Sequence, residues 1–215
     1  MRTRVKICGI TRVEDGIAAA RAGADAIGVV FWPGTPRAVA VEQARRIVDA
    51  LPPFVSVVGL FVDPQPEDVR AALSGVRLDL LQFHGDEPAE LCRSFGRAYL
   101  KALPVKPGSD LLQCVARYPD ASAVLFDTHL PGAMPGGTGT LFDWSALPTH
   151  LSRPLVLSGG LTAENVGAGV RRVRPWAVDV SSGVEAVDRE GRPLKGIKDP
   201  LKIAAFIAAV HRADA

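Results

Sequence analysis

Three side chains suited to proton transfer stand at the ends of short, mostly apolar runs: Cys8, His84 and Asp127. A thiol, an imidazole and a carboxyl group are typical acids, bases and nucleophiles of enzymes near neutral pH. Each also has a purely structural interpretation. Cys8 can pack as a small buried hydrophobe, His84 can be a hydrogen-bonded residue at a strand end, and Asp127 can cap a loop. Their meaning depends on whether the fold brings them together.

The elements that must position them follow a regular alternation. Apolar runs typical of strands begin near eight positions: Val5, Ala26, Phe54, Asp79, Tyr99, Ala123, Pro154 and Ala177. Amphipathic stretches lie between them: 12–22, 41–51, 67–73, 87–95, 110–118, a weak one after 143, 163–173 and 199–212. A spacing of roughly 25 residues is that of one βα unit. We therefore predict an α/β fold, a single (β/α)8 TIM barrel with residues 1–215 as one domain, over a doubly wound open sheet.

Composition excludes several other classes of protein. The chain has 215 residues, a net charge of +2 and basic residues spread along its length, so we expect no nucleic-acid partner. No apolar run is long enough to span a bilayer and no leader pattern is visible, so we expect no membrane partner. Three cysteines without a CxxC pattern indicate a reducing, cytoplasmic location and no metal site.

Three helix starts and one loop have local signals. Thr11, three residues before Glu14, has the spacing of a capping box, and Thr162 has the same role before the stretch at 163. Asp199 precedes a proline, which is typical of an acidic N-cap. The segment 128–142 is rich in glycine and proline and has no periodicity, so we expect it to be a lid or binding loop.

Strand alternation predicts which polar residues point into the barrel. Lys6 shares a face with Cys8, and Gln82, Lys101 and Asp179 are expected to join them. Strands one and eight are neighbours in a closed barrel, so Lys6 and Asp179 are expected to form an ion pair. Buried charge pairs are costly to keep for stability alone, which favours an active site. Lys6 lies about 6–7 Å below Cys8 along the strand, so we expect it to supply positive potential without contacting the sulfur.

Two glycine turns follow the last two strands. The first contains Ser158, Gly159 and Gly160, and the second contains Ser181, Ser182 and Gly183. In (β/α)8 barrels the loops after strands seven and eight commonly bind phosphate, because glycines let backbone N–H groups approach the anion. The pair predicts a small phosphorylated ligand. Two tight turns without a ligand are the alternative.

Six segments, in order along the chain, resemble the phosphoribosylanthranilate isomerases of the tryptophan pathway. They are KICGIT at 6–11, QFHG at 82–85, FDT at 126–128, GGTG at 136–139 with FDW at 142–144, LSGGL at 157–161 and VDVSSGVE at 178–185. The resemblance implies an Amadori rearrangement of N-(5-phosphoribosyl)anthranilate to 1-(2-carboxyphenylamino)-1-deoxyribulose 5-phosphate, with neither metal nor cofactor. Family members are monomers or homodimers.

The resemblance also implies roles for individual residues. Cys8 matches the general base, Asp127 the general acid, and Arg37 the arginine that holds the anthranilate carboxylate. We place Lys6, His84 and Asp179 around the substrate beside Arg37. Thr35 stands where the family usually has serine, which keeps the hydroxyl.

Other functions remain open at this point. A histidine-pathway isomerase catalyses an analogous reaction, but it is expected to use two carboxylates, and the cysteine at position 8 argues against it. A non-catalytic barrel that binds a phosphorylated metabolite would need the glycine turns but not the acid and base. A redox thiol enzyme would need a resolving cysteine near Cys8, and the sequence has none there.

Overall fold

Eight parallel strands close into a barrel in the computed structural model, which describes residues 2–106, 108–128 and 142–215. The strands are β1 Arg4–Ile7, β2 Ala26–Val30, β3 Ser56–Phe61, β4 Leu80–Phe83, β5 Tyr99–Val105, β6 Ala123–Thr128, β7 Leu155–Leu157 and β8 Ala177–Val180. Each pairs with the next, and β8 pairs with β1. The predicted (β/α)8 barrel is confirmed. The assignment of all 215 residues to one domain stays a prediction.

Helices alternate with these strands. They are α1 Val13–Ala22, α2 Val41–Asp49, α3 Pro66–Gly75, α4 Ala89–Arg93, α5 Leu111–Ala116, α6 Val166–Val173 and α7 Pro200–Asp214. A single 3-10 turn, Trp144–Ala146, lies where the weak helix after residue 143 was expected. In the described residues no helix is long and apolar enough to cross a membrane.

One predicted helix start is confirmed and two are wrong. The Asp199 carboxylate caps α7 by accepting a hydrogen bond from the backbone N–H of Leu201 at 2.8 Å. Thr11 does not cap α1, because its hydroxyl donates to the carbonyl oxygen of Gly196 at 2.5 Å. Thr162 lies in a turn, and α6 begins later, at Val166. In both cases the threonine that the local pattern assigned to a helix cap makes a tertiary or turn contact and does not cap the helix.

Apolar side chains form two layers, one inside the barrel and one between the strands and the helices. The inner layer at the amino end of the barrel is small: Val58, Leu100, Ala102, Ala123, Leu125 and Val156. The outer layer is larger and contains aromatic side chains such as Phe61, Phe83 and Phe126. The polar side chains Asp127, Asp179 and Gln82 are buried nearer the carboxyl ends of the strands.

The prediction that Lys101 points into the barrel is wrong. Leu100 pairs in register with Gln82 and faces inward, so Lys101 faces the helices. There its ammonium group lies 2.5 Å from the Glu87 carboxylate and 2.6 Å from the carbonyl oxygen of Gly85. This buried pair belongs to the outer layer and takes no part in the barrel interior.

A two-stranded hairpin that the sequence reasoning missed follows β8. After the 3-10 turn Ser182–Val184 the chain forms β9 Glu185–Val187 and β10 Pro193–Lys198, which pair antiparallel. The backbone N–H of Lys198 donates to Asp15 of α1 at 3.0 Å. The hairpin is thereby held against the carboxyl end of the barrel, beside β1.

Candidate active site

A pocket opens at the carboxyl ends of the strands, where the sequence placed the polar residues. Its lining includes Cys8, Arg37, His84, Asp127, Asp179 and Ser181. Cys8 follows β1 and Asp127 lies near the end of β6, so the two come from well-separated strands of the barrel. The structure brings the predicted base and acid to one pocket.

The predicted ion pair between Lys6 and Asp179 is confirmed. The two residues are register partners in β1 and β8, and Lys6 Nζ donates to Asp179 Oδ1 at 2.8 Å. Both side chains are almost fully buried. Burial acts to lower the pKa of Lys6, but the Asp179 carboxylate outweighs it and raises that pKa above its usual value. Lys6 is therefore held in its charged form.

Lys6 also acts on the Cys8 side chain through its charge, as the sequence predicted. The charge of Lys6 lowers the pKa of Cys8, since the extended lysine brings its ammonium group up along the strand toward the sulfur. A Cβ atom added to Gly28 of β2 would lie 2.8 Å from the sulfur and 3.1 Å from Lys6 Nζ. The missing side chain of Gly28 therefore makes room for both groups.

Opposing influences act on the thiol of Cys8. Burial raises its pKa most, the charge of Lys6 lowers it, and the charge of Asp179 raises it again. The net pKa lies above the usual value of a cysteine. In this state the group is a thiol at neutral pH, and additional positive charge in the pocket is needed to favour the thiolate.

Asp127 accepts one backbone hydrogen bond and lies beside His84. Its Oδ1 accepts from the backbone N–H of Thr128 at 2.7 Å, and its Oδ2 lies 3.3 Å from His84 Nε2. The Gln82 amide nitrogen lies 3.2 Å from His84 Nδ1, so that Nδ1 accepts and Nε2 carries the proton that faces Asp127. His84 is thus a partner of the candidate acid, and it also borders the pocket.

Arg37 reaches the pocket with one edge of its guanidinium group already paired. Its Nε and Nη2 donate to the two carboxylate oxygens of Glu185 at 2.7 and 3.0 Å. Glu185 also faces Lys198 Nζ at 3.4 Å. Neither Glu185 nor Lys198 was predicted as a site residue. The only sequence signal was the position of Glu185 at the end of the VDVSSGVE segment.

The two glycine turns lie against each other. A Cβ atom on Gly183 would lie only 1.9 Å from the carbonyl oxygen of Leu161, so this contact requires glycine. Gly159 and Gly160 both have left-handed backbone conformations, with φ of 86° and 61°. Among the described residues, no backbone group is found to accept from the N–H groups of Gly160 or Gly183. Within the described ranges, the turns therefore form a glycine-lined surface whose backbone N–H groups can face a ligand.

The serines of these turns make internal contacts. The hydroxyl of Ser158 donates to Asp179 at 3.5 Å, while the oxygens of Ser181 face Lys198 Nζ at 3.0 and 3.3 Å. Ser182 begins the 3-10 turn. Phosphate binding by these residues stays a prediction.

Two further predictions concern the loop at 128–142 and the absence of a metal site. The loop 128–142, with its GGTG segment, lies outside the described residues except for its two ends. In the part of the chain that is described, His, Cys, Asp and Glu side chains form no group of three that could hold a metal ion.

A closed (β/α)8 barrel with a thiol, a carboxyl group and glycine turns at its carboxyl end defines a barrel enzyme of the acid–base type that handles an anionic substrate. The chain belongs to the N-(5'-phosphoribosyl)anthranilate isomerase family, whose model matches residues 5–209. The isomerase of Pseudomonas aeruginosa strain LESB58 is 58% identical over 208 residues, which cover 97% of this chain and 95% of that protein.

Solved structures agree with this assignment. The phosphoribosylanthranilate isomerase of Thermotoga maritima is 44% identical, has a TM-score of 0.86, and is matched over 97% of this chain and 98% of that one. An isomerase in complex with reduced 1-(o-carboxyphenylamino)-1-deoxyribulose 5-phosphate has 40% identity and a TM-score of 0.80 over the same shares. Monomers produced from the dimeric T. maritima isomerase have 39% identity and a TM-score of 0.78, again over those shares.

Proposed function

We propose that this chain converts N-(5-phosphoribosyl)anthranilate to 1-(2-carboxyphenylamino)-1-deoxyribulose 5-phosphate, with Asp127 as general acid and Cys8 as general base. The observation that carries the proposal is that these two side chains border one pocket from separate strands, with His84 beside Asp127 and the charge of Lys6 acting on Cys8. An Amadori rearrangement needs such an acid and base at different points of one sugar.

The acid step opens the ribose ring. The Asp127 carboxyl group gives its proton to the ring oxygen, the bond from C1′ to that oxygen breaks, and the anthranilate nitrogen supplies its lone pair to form a protonated Schiff base. The donor at His84 Nε2 then stabilises the carboxylate that remains, 3.3 Å away. Gln82 Oε1 is buried and finds no partner among the described residues, so a substrate hydroxyl can donate to it.

The base step moves a proton from C2′. The protonated Schiff base withdraws electrons from the C2′–H bond, and the Cys8 thiolate removes that proton to give an enolamine, which becomes the keto product. Positive charge on the intermediate offsets the burial that raises the pKa of Cys8, and Lys6 acts in the same direction. The thiolate is thus favoured once substrate is bound.

Both ends of the substrate are anionic, and the site has a partner for each. The Nη1 end of the Arg37 guanidinium, which has no hydrogen-bond partner in the described part of the chain, suits the anthranilate carboxylate. The N–H groups of the glycine turns suit the phosphate. Binding at both ends holds the sugar between acid and base, which is how orientation lowers a barrier.

We also propose that the protein is a cytoplasmic homodimer. Its three cysteines are unpaired, which fits a reducing compartment. Phe54 is fully exposed at the amino end of the barrel and has a left-handed backbone, with φ of 71°. Trp176, also exposed, borders the same cavity as Phe54, and an exposed apolar surface that contains two aromatic rings is typical of an interface.

The test is a direct assay with freshly prepared phosphoribosylanthranilate, followed by the loss of its fluorescence. Cys8→Ser and Asp127→Asn are each expected to lower kcat by about 10²–10⁴-fold, the usual contribution of a general acid or base, with an unchanged circular dichroism spectrum. Cys114→Ser, on α5, is the matched control and should keep normal turnover. Near-normal turnover of both site variants would refute the roles.

A further inference from the structure

Three charged side chains are buried together behind the pocket: Arg37, Glu185 and Lys198. Glu185 Oε1 accepts from Arg37 Nε at 2.7 Å, from the backbone N–H of Gly196 at 2.9 Å and from Lys198 Nζ at 3.4 Å. Its Oε2 accepts from Arg37 Nη2 at 3.0 Å. Arg37 borders the pocket, whereas the other two charged residues do not. Glu185 therefore acts on a ligand through Arg37, while Lys198 also contacts Ser181, which borders the pocket.

The bidentate pair fixes the plane of the Arg37 guanidinium group. With Nε and one Nη2 hydrogen directed at Glu185, the Nη1 end and the second Nη2 hydrogen are the donors that a ligand in the pocket can reach. Gly9 makes room for this arrangement, because a Cβ atom there would lie 2.7 Å from Arg37 Cδ. The site is thus built to present the arginine in one orientation.

The cluster contains two cations and one carboxylate when Lys198 is protonated. An uncompensated charge in a buried place is costly, and an anionic group beside Arg37 would neutralise it. Lys198 Nζ also contacts both oxygens of Ser181, at 3.0 and 3.3 Å. One lysine therefore ties the carboxylate partner of Arg37 to the glycine turn after β8.

We propose that Glu185 and Lys198 are positioning residues for the carboxylate end of the substrate, with Glu185 orienting Arg37 and Lys198 holding Glu185 and adding positive charge. The inference rests on the proposed function. For Glu185 it concerns binding more than bond breaking, because that side chain does not border the pocket that contains Cys8 and Asp127. The charge of Lys198 also acts on Cys8 and lowers its pKa.

Glu185→Gln is the first test, because it keeps the shape and removes the charge. The KM for phosphoribosylanthranilate is expected to rise about tenfold or more, the effect of losing about 1.4 kcal/mol, with a smaller fall in kcat. Inhibition by inorganic phosphate should be unchanged, since the phosphate turns are intact. A merely structural role would not separate the two ends of the substrate in this way.

Lys202→Met is the matched control. Lys202 Nζ donates to the backbone oxygen of Glu185 at 2.8 Å, so it touches the same residue without touching its carboxylate. We expect a normal KM for this variant. Lys198→Met should raise the KM, and Lys198→Arg should restore part of the loss, which keeps the inference testable if Glu185→Gln does not fold.

The pH profile is a second readout. Burial lowers the pKa of Lys198 to about 8; among the charged groups near it, Glu185 and Cys8 oppose this shift and Arg37 adds to it, and Asp15 accepts from its backbone N–H. Lys198 loses its positive charge as the pH rises through that value. The KM of the wild type should therefore rise above about pH 8, and Lys198→Met should abolish this rise.

The outcomes separate the two proposals. A wild type that does not isomerise phosphoribosylanthranilate would refute the proposed function and the inference with it. Normal wild-type turnover, combined with unchanged KM values in Glu185→Gln and Lys198→Met, would refute the inference alone. A raised KM accompanied by an equally large fall in kcat and by weaker inhibition by phosphate would also refute it. Such a result would indicate general disruption of the site.

Discussion

Lys6 and Asp179 are register partners across the seam that closes the barrel, and their side chains meet at 2.8 Å in its interior. Each is nearly inaccessible to solvent, so removing one leaves the other charge buried without its oppositely charged partner. Lys6→Met is expected to lower the free energy of unfolding by about 3–5 kcal/mol, whereas Lys6→Met/Asp179→Leu should recover most of that loss. Urea denaturation measures both.

An exposed pair provides the control for this prediction. Arg70 and Glu67 are separated by 3.2 Å on the surface of α3. Arg70→Met should change the stability by less than about 1 kcal/mol, since solvent screens exposed pairs. Wild-type stability of Lys6→Met would contradict the view that Asp179 depends on this partner.

Two strand glycines on opposite faces of the sheet should separate activity from stability. A Cβ atom on Gly28 would approach Cys8 Sγ at 2.8 Å, whereas one on Gly59 would approach Leu78 Cδ1 at 2.7 Å in the outer layer. Gly28→Ala is expected to lower kcat by about 10–100-fold, because it displaces the reacting sulfur. Gly59→Ala is expected to cost about 1–3 kcal/mol of stability by overpacking and to keep normal kcat.

Steady-state kinetics and urea denaturation of the two glycine variants give the comparison. Equal kcat values would show that the space at Gly28 is not needed by Cys8. A low kcat in Gly59→Ala would show that outer-layer packing, and not the contact with the sulfur, limits activity.

Alkylation by iodoacetamide should report the raised pKa of Cys8. Burial raises this pKa above its usual value, so the fraction of thiolate at neutral pH is smaller than in a free cysteine, and the rate should increase with pH to a higher midpoint. Mass spectrometry of the peptide that contains Cys8 separates it from Cys92 and Cys114. Free cysteine, alkylated in parallel, is the reference.

Lys6→Met tests the effect of the lysine charge on the alkylation of Cys8. It removes the positive charge that lowers the pKa of Cys8 while the Asp179 carboxylate, which raises it, remains. The midpoint should therefore move further upward. A midpoint at or below that of free cysteine in the wild type would contradict the balance of burial and charge described for this thiol.

Local periodicity was enough to predict the barrel and one of its interactions. Alternation placed Lys6 and Asp179 on the inner face, and closure of eight units made their strands neighbours. The ion pair could therefore be predicted from the sequence alone. The same alternation failed for Lys101, because one misjudged residue in a strand reverses its face. The inward partner of Gln82 is Leu100, which tertiary register decides and local sequence does not.

The hairpin shows where prediction from sequence stops. Residues 185–198 interrupt the regular βα spacing, so the sequence pattern indicated only a connection before α7. The importance of Glu185 and Lys198 comes from contacts with Arg37, which is 148 positions from Glu185 in sequence. Side chains that act through another residue have no local signature, because their chemistry depends on long-range placement.

Phe54 should control the proposed dimer. It precedes β3 at the amino end of the barrel, beside a cavity lined by apolar side chains that include Val58, Leu100 and Val156. Phe54→Asp puts a charge where a partner would bury an aromatic ring, so we expect monomers at micromolar concentration. Sedimentation velocity or light scattering measures the mass, and circular dichroism checks the fold.

Leu201→Asp is the control for this last prediction. Leu201 is also largely exposed, but it lies at the start of α7, near the opposite end of the barrel. This variant should keep the mass of a dimer. A monomeric wild type would refute the dimer. Dissociation by Leu201→Asp alone would place the interface at the end of the barrel that contains the active site. Pairing of two chains there would affect access to the pocket.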